Sequence, residues 1–183
     1  MLLRQVKPLL CVLALALPAA LASCANKEEH PGTEEPAREG LALEMQGVEY
    51  TVFITRQLNP KVAPDEAYVS DEPAEGDTYY GVFMQVCNRS EETRQPATTF
   101  FVRDNQDEAF EPKQLPADNP FGYQASSLDP DECIPQAGSV AQLGPSTGSM
   151  LLFELPLENT ENRPLELEIR ADDGESRTVE LDI

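Results

Sequence analysis

The chain has 183 residues, of which 13 are basic and 33 acidic, for a formal net charge of −20 at pH 7. That surplus of carboxylates excludes a nucleic-acid backbone as partner, which requires clustered Lys and Arg. It also argues against a domain resting flat on an anionic membrane, and it keeps a protein soluble and monomeric.

At the N-terminus, Arg4 and Lys7 precede an unbroken apolar run over 9–17, and the apolar character continues to Ala22. The run is shorter than the roughly 20 residues that span a bilayer, and its order of charged, apolar and small residues is that of a secretory signal. Leu21-Ala22-Ser23-Cys24 then places a cysteine directly after the small residues. This is the order of a bacterial lipobox: small residues let the peptidase grip the chain, and the thiol carries a diacylglyceryl thioether. The sequence therefore predicts a signal peptide over 1–23. Cys24 becomes the lipidated first residue of a mature chain held at the extracytoplasmic face of the cell membrane, and two acyl chains suffice for stable anchoring. Arg4 and Lys7 leave with the signal and no acidic residue does, which takes the formal net charge from −20 to −22. Removing 23 residues leaves 160, one domain plus a tail. Residues 25–40 show no hydrophobic period and are rich in Glu, Pro and Gly. They are predicted to be a disordered tether, so the chain divides into a linker over 24–40 and a domain over 41–183.

From Leu41 onward the apolar pattern is that of strands. Residues 41–45 read as a short one, and 48–56, rich in β-branched and aromatic residues, as a longer one closed by Asn59-Pro60. Residues 59–77 form a long polar loop. Over 78–88, Tyr80, Val82, Met84 and Val86 share one face and Tyr79, Phe83 and Cys87 the other. Apolar residues on both faces predict a central strand covered on each side. Residues 98–103 are a further strand, with 109–111 pairing back after a turn at 104–107. A second long irregular stretch carries Pro112, Pro116, Pro120, Pro130 and Pro135 and ends near Gly138. Residues 139–143 read as a weak strand and 149–155 as a strong one ended by Pro156. Finally Leu165, Leu167 and Ile169 alternate with charged residues, Asp173-Gly174 turns the chain, and Val179, Leu181 and Ile183 alternate again, as in a hairpin with one wet face.

No stretch of adequate length shows a helical apolar period free of proline. The prediction is an all-β, immunoglobulin-like antiparallel β-sandwich with two long loops. Antibody-type hallmarks are missing: the chain has no Trp, and Cys133 is placed in a loop. The residues Gly81-Val82-Phe83-Met84-Gln85-Val86-Cys87-Asn88-Arg89-Ser90 carry a likeness, followed by Phe100 to Arg103, Asp104-Asn105-Gln106 and Phe110-Glu111-Pro112. With Arg56-Gln57-Leu58-Asn59-Pro60 and the apolar run closed by Pro156, the pattern resembles the bacterial extracellular immunoglobulin-like lipoprotein domains of unknown function. The resemblance spans roughly 46–183. It implies a sandwich and supplies no catalytic residue.

Cys11 leaves with the signal and Cys24 takes the lipid, so Cys87 and Cys133 remain. In an oxidising compartment two leftover cysteines are expected to form a disulfide. Free thiols or a metal site are the alternatives, though no His lies near either cysteine in sequence. His30, the only histidine, falls in the tether. A nucleophile–His pair is therefore excluded from the domain, as are Cys/His zinc sites, and no enzyme activity and no cofactor are expected. Calcium is the cation the abundant carboxylates would suit. Two clusters qualify, one around Asp104 and Asp107, the other around Asp129 and Asp131; neither has EF-hand spacing, and both read first as solvated turns. The second long loop is the better lead to a partner, with Phe121 and Tyr123 either packed or presented as a contact patch. The function these features favour is a lipid-anchored binding or interaction module whose partner is an envelope protein or ligand. A cation-binding or structural envelope protein is the alternative.

Overall fold

The computed structural model describes residues 30–183; the expected signal peptide and Cys24 lie outside the described residues. Ten strands and one short helix follow in order: β1 (Ala37–Arg38), β2 (Ala42–Met45), β3 (Val48–Leu58), β4 (Asp77–Asn88), β5 (Thr99–Arg103), β6 (Ala109–Phe110), β7 (Cys133–Ile134), α1 (Val140–Leu143), β8 (Ser149–Pro156), β9 (Glu166–Arg170) and β10 (Ser176–Glu180). One sheet has the order β1-β10-β9-β5-β6. The other runs β2-β3-β4, with β8 and β7 in succession along the far side of β4. Every pairing is antiparallel except that of β1 with β10. The chain is thus an all-β sandwich.

β4 is buried along both faces, as its two-residue alternation requires. Tyr80, Val82, Met84 and Val86 enter the core between the sheets with Tyr50, Phe100, Val102, Phe153, Leu167 and Ile169. Tyr79 and Phe83 point the other way, into a second cluster with Tyr68, Phe121, Met150 and Leu152. The two long loops build that outer layer. Tyr68 comes from the first loop and Phe121 from the second, and their rings meet edge-on with centroids 4.7 Å apart; Tyr68 also packs edge-on against Phe83 at 5.1 Å.

A bulge in β3 between Val52 and Ile54 reverses which face its residues meet. Beyond it Arg56 reaches the outer layer, where its guanidinium lies 5.6 Å from the Tyr68 ring centre and 5.8 Å from that of Phe83. It pairs with Asp65 and donates to Ser146 Oγ. At the start of β8 the backbone approaches β4 so closely that a Cβ on Gly148, whose φ is +120°, would sit 2.8 Å from the Met84 nitrogen; only glycine fits there.

Three expectations need correction. Residues 139–143 are not a strand: Ser139 caps α1, its side chain accepting from the Gln142 N–H. Cys133 lies in a strand, β7, and not in a loop. The tether is not disordered as far as residue 40. Gly32 and Ala37 are buried, the Gly32 carbonyl accepts from Thr178 N, and β1 pairs with β10 through Ala37–Val179 and Arg38–Glu180. The edge of β10 leaves backbone groups that a passing chain can satisfy, and Ala37 fills the hydrophobic strip at that edge.

Candidate functional site

Asp104 follows directly on β5 and is only 5% exposed. Its Oδ1 accepts from the N–H groups of Gln106 and Glu108 at 2.9 and 3.0 Å, and its Oδ2 from the Nδ2 groups of Asn159 and Asn162, each at 3.0 Å. Burial pushes this carboxyl up, but the four hydrogen bonds, that from Asn159 foremost, outweigh burial and hold its pKa at about 2. All four acceptor directions of the carboxylate are occupied, so Asp104 has none to offer a cation. Asp104 ties the β5–β6 turn to the 159–162 turn that leads into β9.

The expected result of Asp104→Asn is a loss of about 3 kcal/mol at neutral pH, since an amide in that place sets N–H against N–H. Because the folded pKa lies below the ordinary value of 3.8, the stabilisation is complete above that value and is lost as pH falls toward 2. Urea unfolding at pH 7, 4 and 2.5 checks it: the gap between the two proteins narrows toward the acid end.

The remaining predicted carboxylates do not come together as a site. Asp107 sits at φ +64°, in the turn itself. Asp129 Oδ1 accepts from Thr93 Oγ1 at 2.8 Å, and Asp131 is a positive-φ residue whose N–H donates to Asn88 O. Among the described residues no group of three or more His, Cys, Asp or Glu side chains is arranged to hold a metal. Phe121 and Tyr123, for which the sequence leaves packing and partner contact open, both face inward. Phe121 is buried in the outer layer. Tyr123 packs edge-on against Phe100 with centroids 5.3 Å apart, and its hydroxyl donates to Ala97 O at 2.9 Å. Both are packing residues, Phe121 in the layer over the second face of β4 and Tyr123 against the core between the sheets.

Cys87 and Cys133 are bonded, as the cysteine arithmetic predicts. They are direct cross-strand partners in β4 and β7, with Cα atoms 4.1 Å apart. The bond therefore joins neighbours within one sheet, whereas the antibody-type bridge crosses between sheets. Beside it opens a cleft of about 340 Å³. Gln85, Ser127, Gln136 and Gln142 line it with neutral hydrogen-bonding groups, Asp131 and Glu132 add two carboxylates, and Leu128 and Ile134 supply apolar surface. No local pattern marks this cleft, because its residues come from β4, the second loop, β7 and α1.

Lys113 was equally unmarked. Its ammonium donates to Tyr79 Oη at 2.9 Å and to Glu154 Oε2 at 2.7 Å. Those two hydrogen bonds, Glu154's the larger, raise its pKa above the ordinary lysine value, so it stays charged and is no general base. Glu154 also accepts from Ala74 N at 2.7 Å, so this group clamps both long loops onto β8.

No family model matches the chain, and no curated protein matches it in sequence. Solved structures do resemble it. The yjhA protein of Bacillus subtilis has 14% identity and a TM-score of 0.52, over 80% of this chain and 99% of that one. The ycdA protein of the same organism, described provisionally as a lipoprotein, has 13% identity and a TM-score of 0.50 over 79% of this chain; the match covers 38% of ycdA. A β-sandwich protein of Clostridium difficile, described as uncharacterized, has 18% identity and a TM-score of 0.47, over 84% of this chain and 100% of that one. At such identities the likeness to the two Bacillus proteins is one of fold.

Proposed function

We propose that this chain is a lipid-anchored, extracytoplasmic binding module of the bacterial cell envelope, akin to the extracellular immunoglobulin-like lipoprotein domains, and that it performs no catalysis. The observation that carries the reading is Leu21-Ala22-Ser23-Cys24 directly behind a charged and an apolar segment. The domain itself offers a rigid scaffold and little that is reactive: it has no histidine from Leu41 onward, and Lys61 and Lys113 are paired with Glu72 and Glu154. The surface best suited to a ligand is the cleft beside Cys133. Its amides, hydroxyls and two carboxylates suit a polar ligand that is neutral or positively charged, or the backbone of an extended peptide segment.

Cys24→Ser is expected to move the protein from the membrane pellet to the soluble fraction on cell fractionation; a variant still found in the pellet overturns the anchor. For the cleft, the mature protein and a Gln136→Arg variant are each used to capture partners from envelope extract. A partner retained by the first and lost by the second supports the cleft. A partner retained equally by both places binding elsewhere.

A further inference from the structure

The docking of β1 changes what the anchor can do. Only residues 25–29 separate Cys24 from His30, and six residue steps of extended chain reach at most about 20 Å. At His30 the chain is already at the domain: its carbonyl accepts from Thr33 N, and two residues later the Gly32 carbonyl accepts from Thr178 N in β10. Gly32 is wedged there at φ +79°, where a Cβ would lie 2.8 Å from the Thr178 oxygen and 3.3 Å from the Leu43 side chain of β2. The chain therefore leaves the sandwich along the edge where β10 of one sheet meets β2 of the other. The opposite edge of the β10 sheet is β6, four strand spacings from β1, or about 19 Å. A tether that short keeps the β1 edge within about 20 Å of the lipid, while nothing comparable holds the β6 edge there.

The same edge carries exposed apolar side chains. The Gly40 N–H donates to Val52 O at 2.7 Å, which holds the chain entering β2 against β3 at its bulge; Leu41 on the first and Phe53 on the second are 50% and 38% exposed. We propose that this edge, formed by β1, the start of β2 and the bulge of β3, faces the bilayer that holds Cys24, with Leu41 and Phe53 seated at the lipid surface and β6 turned away. This rests on the anchor reading above. It makes the short tether, not the surface charge, the cause of apposition, since a domain this acidic would be repelled by anionic lipid. The cleft beside Cys133 lies on β7, at the far side of the β2-β3-β4 sheet from β2, so it stays open to solution.

The test uses the full lipidated protein in phosphatidylcholine vesicles carrying a headgroup quencher, with a fluorophore on either Leu41→Cys or Ala109→Cys. The label at 41 is expected to be quenched at least threefold more than the label at 109. Introducing Gly32→Val to detach the N-terminal segment is expected to bring the two close to equality. Protein that floats with the vesicles but quenches equally at 41 and 109 overturns the orientation and leaves the anchor standing. Protein that does not float overturns the anchor, and the orientation with it.

Discussion

Replacing both Cys87 and Cys133 by alanine is expected to lower the stability of the mature protein by about 4 kcal/mol. The bond spans 46 residues. In the chain-entropy account, opening a loop of that length restores about this much freedom to the unfolded state. The folded state loses little, because the strand pair is held by other bonds: Asn88 N donates to Glu132 O at 2.9 Å, Asp131 N to Asn88 O at 3.1 Å, and Asn88 Nδ2 to Leu128 O at 2.9 Å. The variant should therefore keep its sheet content by circular dichroism while its urea midpoint falls sharply. A change below about 1 kcal/mol would mean that residues 88–132 stay ordered in the unfolded chain.

Tyr68→Ala should cost a similar amount, about 4 kcal/mol, the usual loss for truncating a fully buried aromatic ring. Its ring holds Phe83 and Phe121 together and lies beneath the Arg56 guanidinium. Its hydroxyl accepts from Ser146 N, and its backbone carbonyl accepts from Asn119 Nδ2, both at 2.9 Å. The loss is local in kind. Hydrogen exchange is expected to rise first at residues 59–76 and 113–122, while the amides of β9 and β10 stay protected. Uniform loss of protection across both sheets would show instead that the outer layer and the inter-sheet core unfold as one unit.

Much of the fold is legible in the sequence where a two-residue period runs long enough to speak. The assignment of Tyr80, Val82, Met84 and Val86 to one core and of Tyr79 and Phe83 to another follows from alternation alone. So does the β9–β10 hairpin with its turn at Asp173-Gly174. Where the structure departs, distance along the chain is usually the reason. Ala37 has no apolar neighbours to form a pattern; its partner Val179 lies at the other end of the chain. Asp104 looks like a solvated turn residue until Asn159 and Asn162, more than 50 positions away, close over it. Helix α1 has only four residues, too few for any period, and its start is marked by Ser139 alone. Nothing local distinguishes an aromatic that fills a core from one that meets a partner, so Phe121 and Tyr123 could be placed only by the loop's path.

β1 has a mechanical consequence. It is a two-residue strand on an open edge, joined to the body chiefly by β10 and by the Glu39 carboxylate, which accepts from Thr55 N at 3.2 Å and from Asp182 N at 3.3 Å. Tension arriving along the chain at His30 loads those few bonds before any strand of either core. Peeling residues 30–40 releases roughly 35 Å of slack with both hydrophobic clusters still nearly whole. The segment works as a fuse in series with the sandwich: a pull strong enough to strip β1 lengthens the leash and leaves the fold standing, and when the pull ends the same bonds wind it back.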